Sequence, residues 1–350
     1  MAVYEQATFS SSQRLSKIAH EEKLFRDWIK ESVIGPMITD GDTGPVQRKR
    51  VAKGEGDVVY FGLRARNTES FIMDGPAEGN EMSLSTYSFS VTMHLFRAAV
   101  RYNTKMTVQR AAFDVPMEAQ EALGDNYQEN LEALYFEALY DGVSDFLYHD
   151  ASNQFLTTTT KATAKTAATA ASTSGLSAQF LSRSKGHMDA RRGTGYPPIK
   201  PVKVKGYNKP LFIVVTHPHS LSDLWNDGTF LTGQRECLAR SNDHPIFMQA
   251  ESIYAGHLIL QSEHVSASAD YGAGTVYGCE AKVLGRQALA LAIGDANEKG
   301  GSMSMVGPVE FDYGREKGYE AHTILGLRKT IFNSKDYGSR SMILACTDLR

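Results

Sequence analysis

The chain has 350 residues but only three cysteines, Cys237, Cys279 and Cys346, which are far apart and form no CxxC pair. That excludes a zinc knuckle and a disulfide framework, and leaves buried or free thiols in a reducing compartment. No apolar run approaches the roughly 20 residues that a membrane-spanning helix requires. The opening stretch, MAVYEQATFSSSQRLSKIAHEEK, lacks an apolar segment and reads as no secretory signal. Charge excess is missing too. The formal net charge is -3, so the whole chain is no polybasic nucleic-acid binder. Contact with DNA would come from local patches or from many copies acting together.

Catalytic signatures are equally scarce. His217 and His219 form an HPH, and His257 and His264 flank Glu263, yet there is no HExxH and no carboxylate at a ligand spacing. His217-Pro218 reads more simply as a strand end and helix start. The run Gly272–Gly278 (GAGTVYG) lacks the Lys-Ser/Thr of a phosphate loop, and no GxSxG elbow exists. The composition, 42% hydrophobic and 22% charged, is that of an ordinary folded protein whose length calls for two packed lobes with extensions. No cofactor or metal is expected.

What is present is mostly patterned structure. Residues 11–34 have helical spacing (Leu15, Ile18, Leu24, Phe25, Trp28, Ile29), and a basic run, Arg48, Lys49, Arg50 and Lys53, follows. A short amphipathic segment without its own core must dock on its own body or on a neighbour. Residues 57–66 alternate through Val59, Phe61, Leu63 and Ala65, and 86–95 through Tyr87, Phe89, Val91, Met93 and Leu95, the period-two signature of strands. About twenty residues with turn chemistry at Asp74-Gly75-Pro76 and Gly79-Asn80 connect them. A two-stranded hairpin is marginal alone, so its apolar face must be buried against another surface.

Asp114 and Pro116 predict a helix start, and the stripe Leu123, Tyr127, Leu131, Leu134, Tyr135, Ala138, Leu139 predicts a helix over 115–148. Residues 156–178 are low-complexity and read as a mobile surface insertion. A short helix is expected over 177–190. From Leu211 the pattern becomes α+β: LFIVV is a buried strand, HPHSLSDLW and TFLTGQRECLAR are helical, and IYAGHLILQ is a strand. AKVLGRQALALAIG reads as a small-residue helix, and two strands, YEAHTILGLRKTIF and SMILACT, close the chain. A basic stretch, Arg183 to Lys209, includes Arg191, Arg192, Lys200, Lys203 and Lys205. It either meets phosphates or forms a solvated or intersubunit surface opposite acids such as those at 118–132. The scarcity of interleaved aromatics favours the second reading.

GDVVYFGLRARNT, GPAEGNEMSL, SFSVTMHLFRAAVR and KMTVQRAAFD, followed by FIVVTHPHSLSDLW, IYAGHLILQSEHV, LGRQALALAIG and GYEAHTILGLRKTIFNSKDYG, resemble collinear stretches of podophage-type major capsid proteins of tailed bacteriophages. The resemblance covers most of residues 54–340. It implies an α+β, HK97-like fold: an N-terminal arm (1–53), an extended hairpin loop (54–100), a peripheral domain (101–210) with a spine helix, an axial domain (211–310), and return strands of the peripheral domain (311–350). It also implies a non-enzymatic subunit of hexamers and pentamers in an icosahedral shell around double-stranded DNA, assembled in the host cytoplasm. Its partners would be a scaffolding protein, a portal and a candidate cement protein, with no membrane involved. At the hairpin tip, Phe71, Ile72 and Met73 are candidate apolar contacts to a neighbouring subunit. Glu78, Asn80 and Glu81 are candidate polar contacts there, with Arg97 and Arg101 as candidate charge partners. Some members of the fold crosslink a hairpin lysine to a neighbour, whereas residues 54–104 contain no lysine. The alternatives are an encapsulin-type compartment shell and a motif-poor α+β enzyme.

Overall fold

The computed structural model describes residues 32–64, 73, 78, 86–103, 105–111, 114–170, 174–190, 199–204, 209–238, 252–272, 274–296, 302–332 and 334–347. Most of the expected helix over 11–34 and nearly all of the hairpin connection therefore lie outside the described residues.

The chain enters through β1 (Ile38–Thr39) and β2 (Val46–Val51), so the basic run Arg48–Arg50 is a strand. It then forms the hairpin β3 (Val58–Arg64) and β4 (Thr86–Thr92). A single residue, Met93, separates β4 from β5 (His94–Asn103). After α1 (Lys105–Arg110) comes the long helix α2 (Val115–Tyr140). The α2 stripe Leu123, Tyr127, Leu131, Tyr135 and Leu139 is buried, as its i, i+4 spacing requires. At 26 residues it is a rod of about 39 Å. Asp114 makes no side-chain cap; its carbonyl instead accepts from the Glu118 N–H at 3.1 Å.

The helix does not reach residue 148. Asp141 is extended and Gly142 is left-handed (φ 54°), and the chain continues as β6 (Phe146–His149) and β7 (Phe155–Thr158). The 156–178 segment is not a loose insertion either. Within it, α3 (Lys161–Ala167) and the residue after it place Ala164 and Ala168 against Phe146, Tyr148, Tyr271 and Ile343. Small side chains that cannot fill a core alone let a short helix lie close to a sheet. The helix α4 (Ala178–Ala190) follows as expected.

The remaining elements are β8 (Phe212–Thr216), α5 (Pro218–Trp225), α6 (Gly228–Leu238), β9 (Ser252–Tyr254), β10 (His257–Gln261), β11 (Ala267–Tyr271), β12 (Val276–Leu284), β13 (Leu289–Gly294), β14 (Met303–Phe311), β15 (Glu316–Lys329), β16 (Ile331–Phe332), β17 (Lys335–Asp336) and β18 (Ser339–Ala345). The expected small-residue helix over 281–294 is two strands, the end of β12 and β13, in different sheets. Residues 279–284 and 288–293 are all buried, so the run carries no face signal that separates helix from strand. Between them Gln287 adopts φ 52°, and a Cβ on Gly285 would come within 2.2 Å of Ile199.

One sheet runs β1-β2-β13-β15, with β13 and then β14 along one edge of β15 and β5 along the other. Leu325 shows this directly, since it pairs with Ile293 on one side and His94 on the other. The helix α2 packs on β5 and β15, and its Tyr127 hydroxyl hydrogen-bonds Thr323. The second sheet runs β7-β6-β18-β12-β8-β10-β9, with β11 beside β12. Its central strands β8 and β18 are buried throughout, which accounts for the apolar run Phe212–Val215 of β8 and the run Met342–Ala345 of β18. Sheet membership does not follow the expected divisions at 210 and 310. β13 and β14 join β15 in the first sheet, and the chain-closing β18 lies inside the second. Three ion pairs are enclosed: Arg340–Asp145 at 2.7 Å, Lys282–Glu280 at 2.7 Å and Lys329–Asp336 at 2.5 Å.

Candidate subunit-contact surface

β3 and β4 pair in the register Val59↔Val91 and Phe61↔Phe89. Alternation puts Val59, Phe61, Leu63, Phe89, Val91 and Met93 on one face, and all six are buried. They pack on Ala290, Ala292 and Tyr337 of their own chain. The apolar face of the hairpin base, expected to lean on another surface, is thus consumed by the subunit itself. Small residues on β13 leave room for the aromatics above them. Gly326 lets the hairpin cross β15, because a Cβ there would lie 2.3 Å from the Thr92 carbonyl oxygen.

Two cations clamp the hairpin from outside. Lys49 donates to the Tyr60 carbonyl at 2.7 Å and lies 4.9 Å from the centre of the Phe61 ring. Arg328 donates to the Ser90 carbonyl at 3.1 Å and lies 4.8 Å from the centre of Phe89. Both strands of this two-stranded sheet offer unpaired carbonyls at their outer edges, and a long cationic side chain satisfies one on each. Sequence reasoning missed these residues; the basic run around Lys49 was their only trace. The opposite face leaves Val58 and Tyr60 exposed, the latter at 64%.

Of the tip residues, Met73 is 88% exposed and Glu78 is exposed. Phe71, Ile72, Asn80 and Glu81 lie outside the described residues. Arg97 and Arg101 each have an acidic partner within their own chain. Arg97 makes two hydrogen bonds to Glu320, at 2.6 and 2.8 Å, which raise its pKa and lower that of Glu320. Arg101 pairs with Glu316 and lies 4.6 Å from the centre of the Phe311 ring. The antiparallel register of β5 on β15 brings these opposite charges together within one chain. Lys200 and Lys203 are exposed, whereas Arg191, Arg192 and Lys205 lie outside the described residues. Arg183, at the start of the basic stretch, donates to the Asn153 carbonyl at 2.7 Å.

The candidate chemistry resolves into structural roles. His217 caps α5, its Nδ1 accepting from the His219 N–H at 3.3 Å, and burial followed by the neighbouring His219 lowers its pKa. The glycine run 272–278 turns the chain from β11 into β12. Cys279 and Cys346 are buried with sulfurs 3.3 Å apart. Among the described residues no three His, Cys, Asp or Glu side chains gather as metal ligands.

A model of the family described as phage capsid protein matches residues 7–344. No curated protein matches the sequence. The fold is similar to the capsid of Ralstonia phage GP4, at TM-score 0.72 and 22% identity, over 91% of this chain and 92% of that one. It is also similar to the cyanophage Pam1 capsid, at TM-score 0.72 and 19% identity, over 99% and 98% of the two chains. The capsid of Helicobacter pylori bacteriophage KHP30 gives TM-score 0.64 at 13% identity, over 90% and 91%.

Proposed function

This chain belongs to the phage capsid protein family and has the HK97-like fold of a major capsid protein, and from that premise we propose how it holds its shell together. Subunits associate as hexamers and pentamers around double-stranded DNA, and the tip of each hairpin, Phe71 to Glu81, engages a neighbour. The observation that carries this reading is the hairpin base. Its inner face is fixed on Ala290, Ala292 and Tyr337, so the strands have a set direction, while Met73 at the tip is left 88% exposed. A rigid base and an exposed apolar tip suit a contact made on another subunit. Each such contact can be weak, because a closed shell repeats it many times.

The grip is noncovalent, since residues 54–104 offer no lysine for an isopeptide bond. A separate scaffolding protein directs closure in the host cytoplasm, a portal occupies one vertex, and a cement protein is a further candidate partner. DNA is held without sequence preference. The exposed Lys200 and Lys203, with Arg191, Arg192 and Lys205 beside them in sequence, face solvent or another subunit. The subunit is structural rather than catalytic. An encapsulin-type shell would instead enclose a cargo enzyme, and nucleic acid extracted from purified particles separates the two readings.

The test is the double substitution Phe71→Asp and Ile72→Asp. A folded subunit that no longer forms particles is expected, and normal particles would remove the tip from the contact. Mass spectrometry of mature particles should find only single chains; covalently joined subunits would contradict the noncovalent grip.

A further inference from the structure

The middle of the second sheet holds a pair of thiols that the assembly reading does not use. β12 and β18 run antiparallel with Cys279 opposite Leu344. Cys346 continues that ladder just past β18, its N–H donating to the Tyr277 carbonyl at 2.9 Å. Alternation sets Leu344 and Cys346 on the same face as Cys279. All three lie in the main core, whereas Ile343 and Ala345 belong to the small cluster on the other side. Cys279 and Cys346 are therefore diagonal neighbours across two strands, and the Cys346 thiol donates to the Cys279 sulfur at 3.3 Å.

A disulfide needs its sulfurs at about 2.0 Å, so the pair has a gap of about 1.3 Å to close, a distance within reach of side-chain rotation. In the closed fold that reaction is held back. Cys279 is fully buried and Cys346 nearly so. The hydrogen bond to Cys279, and then burial, raise the Cys346 pKa, so its thiolate, the reactive form, is scarce. Cys346 is nonetheless the sulfur with an exit. The residue after it, Thr347, is exposed and is held by its N–H on the Asp223 carboxylate at 2.8 Å. Release of the Tyr277 and Asp223 hydrogen bonds uncovers Cys346 while Cys279 stays within β12.

We propose that Cys279 and Cys346 are an oxidation site: free thiols in the reducing compartment where the chain is made, and an intrachain disulfide once a particle is outside the cell. This rests on the reading that the chain becomes part of a virion, whose surroundings let disulfides form and persist. The oxidant is a low-molecular-weight disulfide such as oxidised glutathione. The Cys346 thiol gives its proton to water, and its thiolate attacks one sulfur of the oxidant, breaking that S–S bond and releasing one glutathione thiolate. Cys279, deprotonated in turn, attacks the Cys346 sulfur of the mixed disulfide and releases the second glutathione thiolate. Each released thiolate takes up one of the protons given off. Two protein thiols are thus oxidised to one disulfide, and one glutathione disulfide is reduced to two thiols. The new bond joins residues 67 positions apart and staples β18 to β12 inside the sheet, so it restricts the unfolded chain far more than the folded one.

The test uses the full chain, as free subunits and as particles. Trypsin separates Cys237, Cys279 and Cys346 into three peptides, because Arg235, Arg240, Lys282 and Arg340 lie between them. Chains alkylated in denaturant at lysis should carry the label on both Cys279 and Cys346. Chains first incubated with oxidised glutathione should instead yield residues 341–350 joined to 241–282, a product lighter by two hydrogens than its two free peptides. The melting temperature of the oxidised free subunit should rise by about 5–10 °C. Cys346→Ser should remove that rise, and Cys279→Ala replaces it if the first variant does not fold. A disulfide already present at lysis, thiols that stay free after the oxidant, a glutathione adduct that never resolves, or a bond to Cys237 would each overturn the proposal. Electron microscopy of the same samples keeps the two readings apart. Well-formed particles whose two thiols stay free sink this inference and leave the assembly reading standing, and a disulfide in a chain that never forms particles does the reverse.

Discussion

Phe61→Ala should free the hairpin without unfolding the subunit. The Phe61 ring is fully buried, faces Phe89 across the hairpin and is enclosed with Val59, Leu63 and Val91 above Ala290, Ala292 and Tyr337. Truncating a ring in such a site costs about 3–5 kcal/mol, the transfer loss plus the cavity left behind. Among the described residues β3 and β4 pair as strands only with each other, so beyond this packing it is the Lys49 and Arg328 clamps that hold them down. The cost should therefore appear as local opening. Hydrogen exchange on the unassembled subunit is the assay. Amides of β3 and β4 should be protected in the unsubstituted chain and exchange about a hundredfold to a few thousandfold faster in the variant. Amides of β8 and β12, which belong to the other sheet, should change little. Unprotected β3 and β4 amides in the unsubstituted, unassembled subunit would refute the reasoning, because the base would then be held only by neighbours.

The enclosed ion pairs yield two further predictions. Asp145→Ala strands the Arg340 guanidinium, whose side chain is fully buried, and should cost about 3–5 kcal/mol in denaturant unfolding; a loss below about 1 kcal/mol would mean that water reaches the site. Burial alone would raise the Glu280 pKa, but Lys282 and Lys161 outweigh it and hold it at about 2. Lys282 moves down to about 8, because burial, helped by the Lys329 charge, outweighs the attraction of Glu280 and Asp336. Both groups are therefore charged between these limits. A depressed carboxylate pKa contributes stability that is complete above the unfolded value of 4.5 and is lost as pH falls toward 2. Thermal melts should decline across that window, and Glu280→Gln should flatten the decline. An unchanged acid limb in the variant would assign the loss to other carboxylates.

Much of the fold was legible where one face of an element meets solvent. The alternation of Phe61 and Phe89, and the i, i+4 stripe from Leu123 to Leu139, both state which side is buried. Alternation does not say what covers that side, so the hairpin base was expected to need a partner surface when its own β13 supplies one. Legibility failed where both sides are buried. In residues 279–294 every side chain of the two strands is enclosed, and a run of small apolar residues looks the same in either state. It failed again at 146–149, where apolar residues extend the α2 stripe and only Asp141-Gly142 marks the stop. Composition misled at 156–178, because residues too small to form a core still pack well against one. The charge partners of Arg97 and Arg101 depend on the β5–β15 register, which pairs residues more than two hundred positions apart.

The most direct test of the account is electron cryomicroscopy of particles formed when the full chain is expressed with a scaffolding protein from the same phage. Closed icosahedral shells are predicted, with each hairpin base resting on its own β13 and each tip, Phe71 to Glu81, touching the adjacent subunit. Monomers alone, or shells in which the tips fold back onto their own subunits, would contradict it.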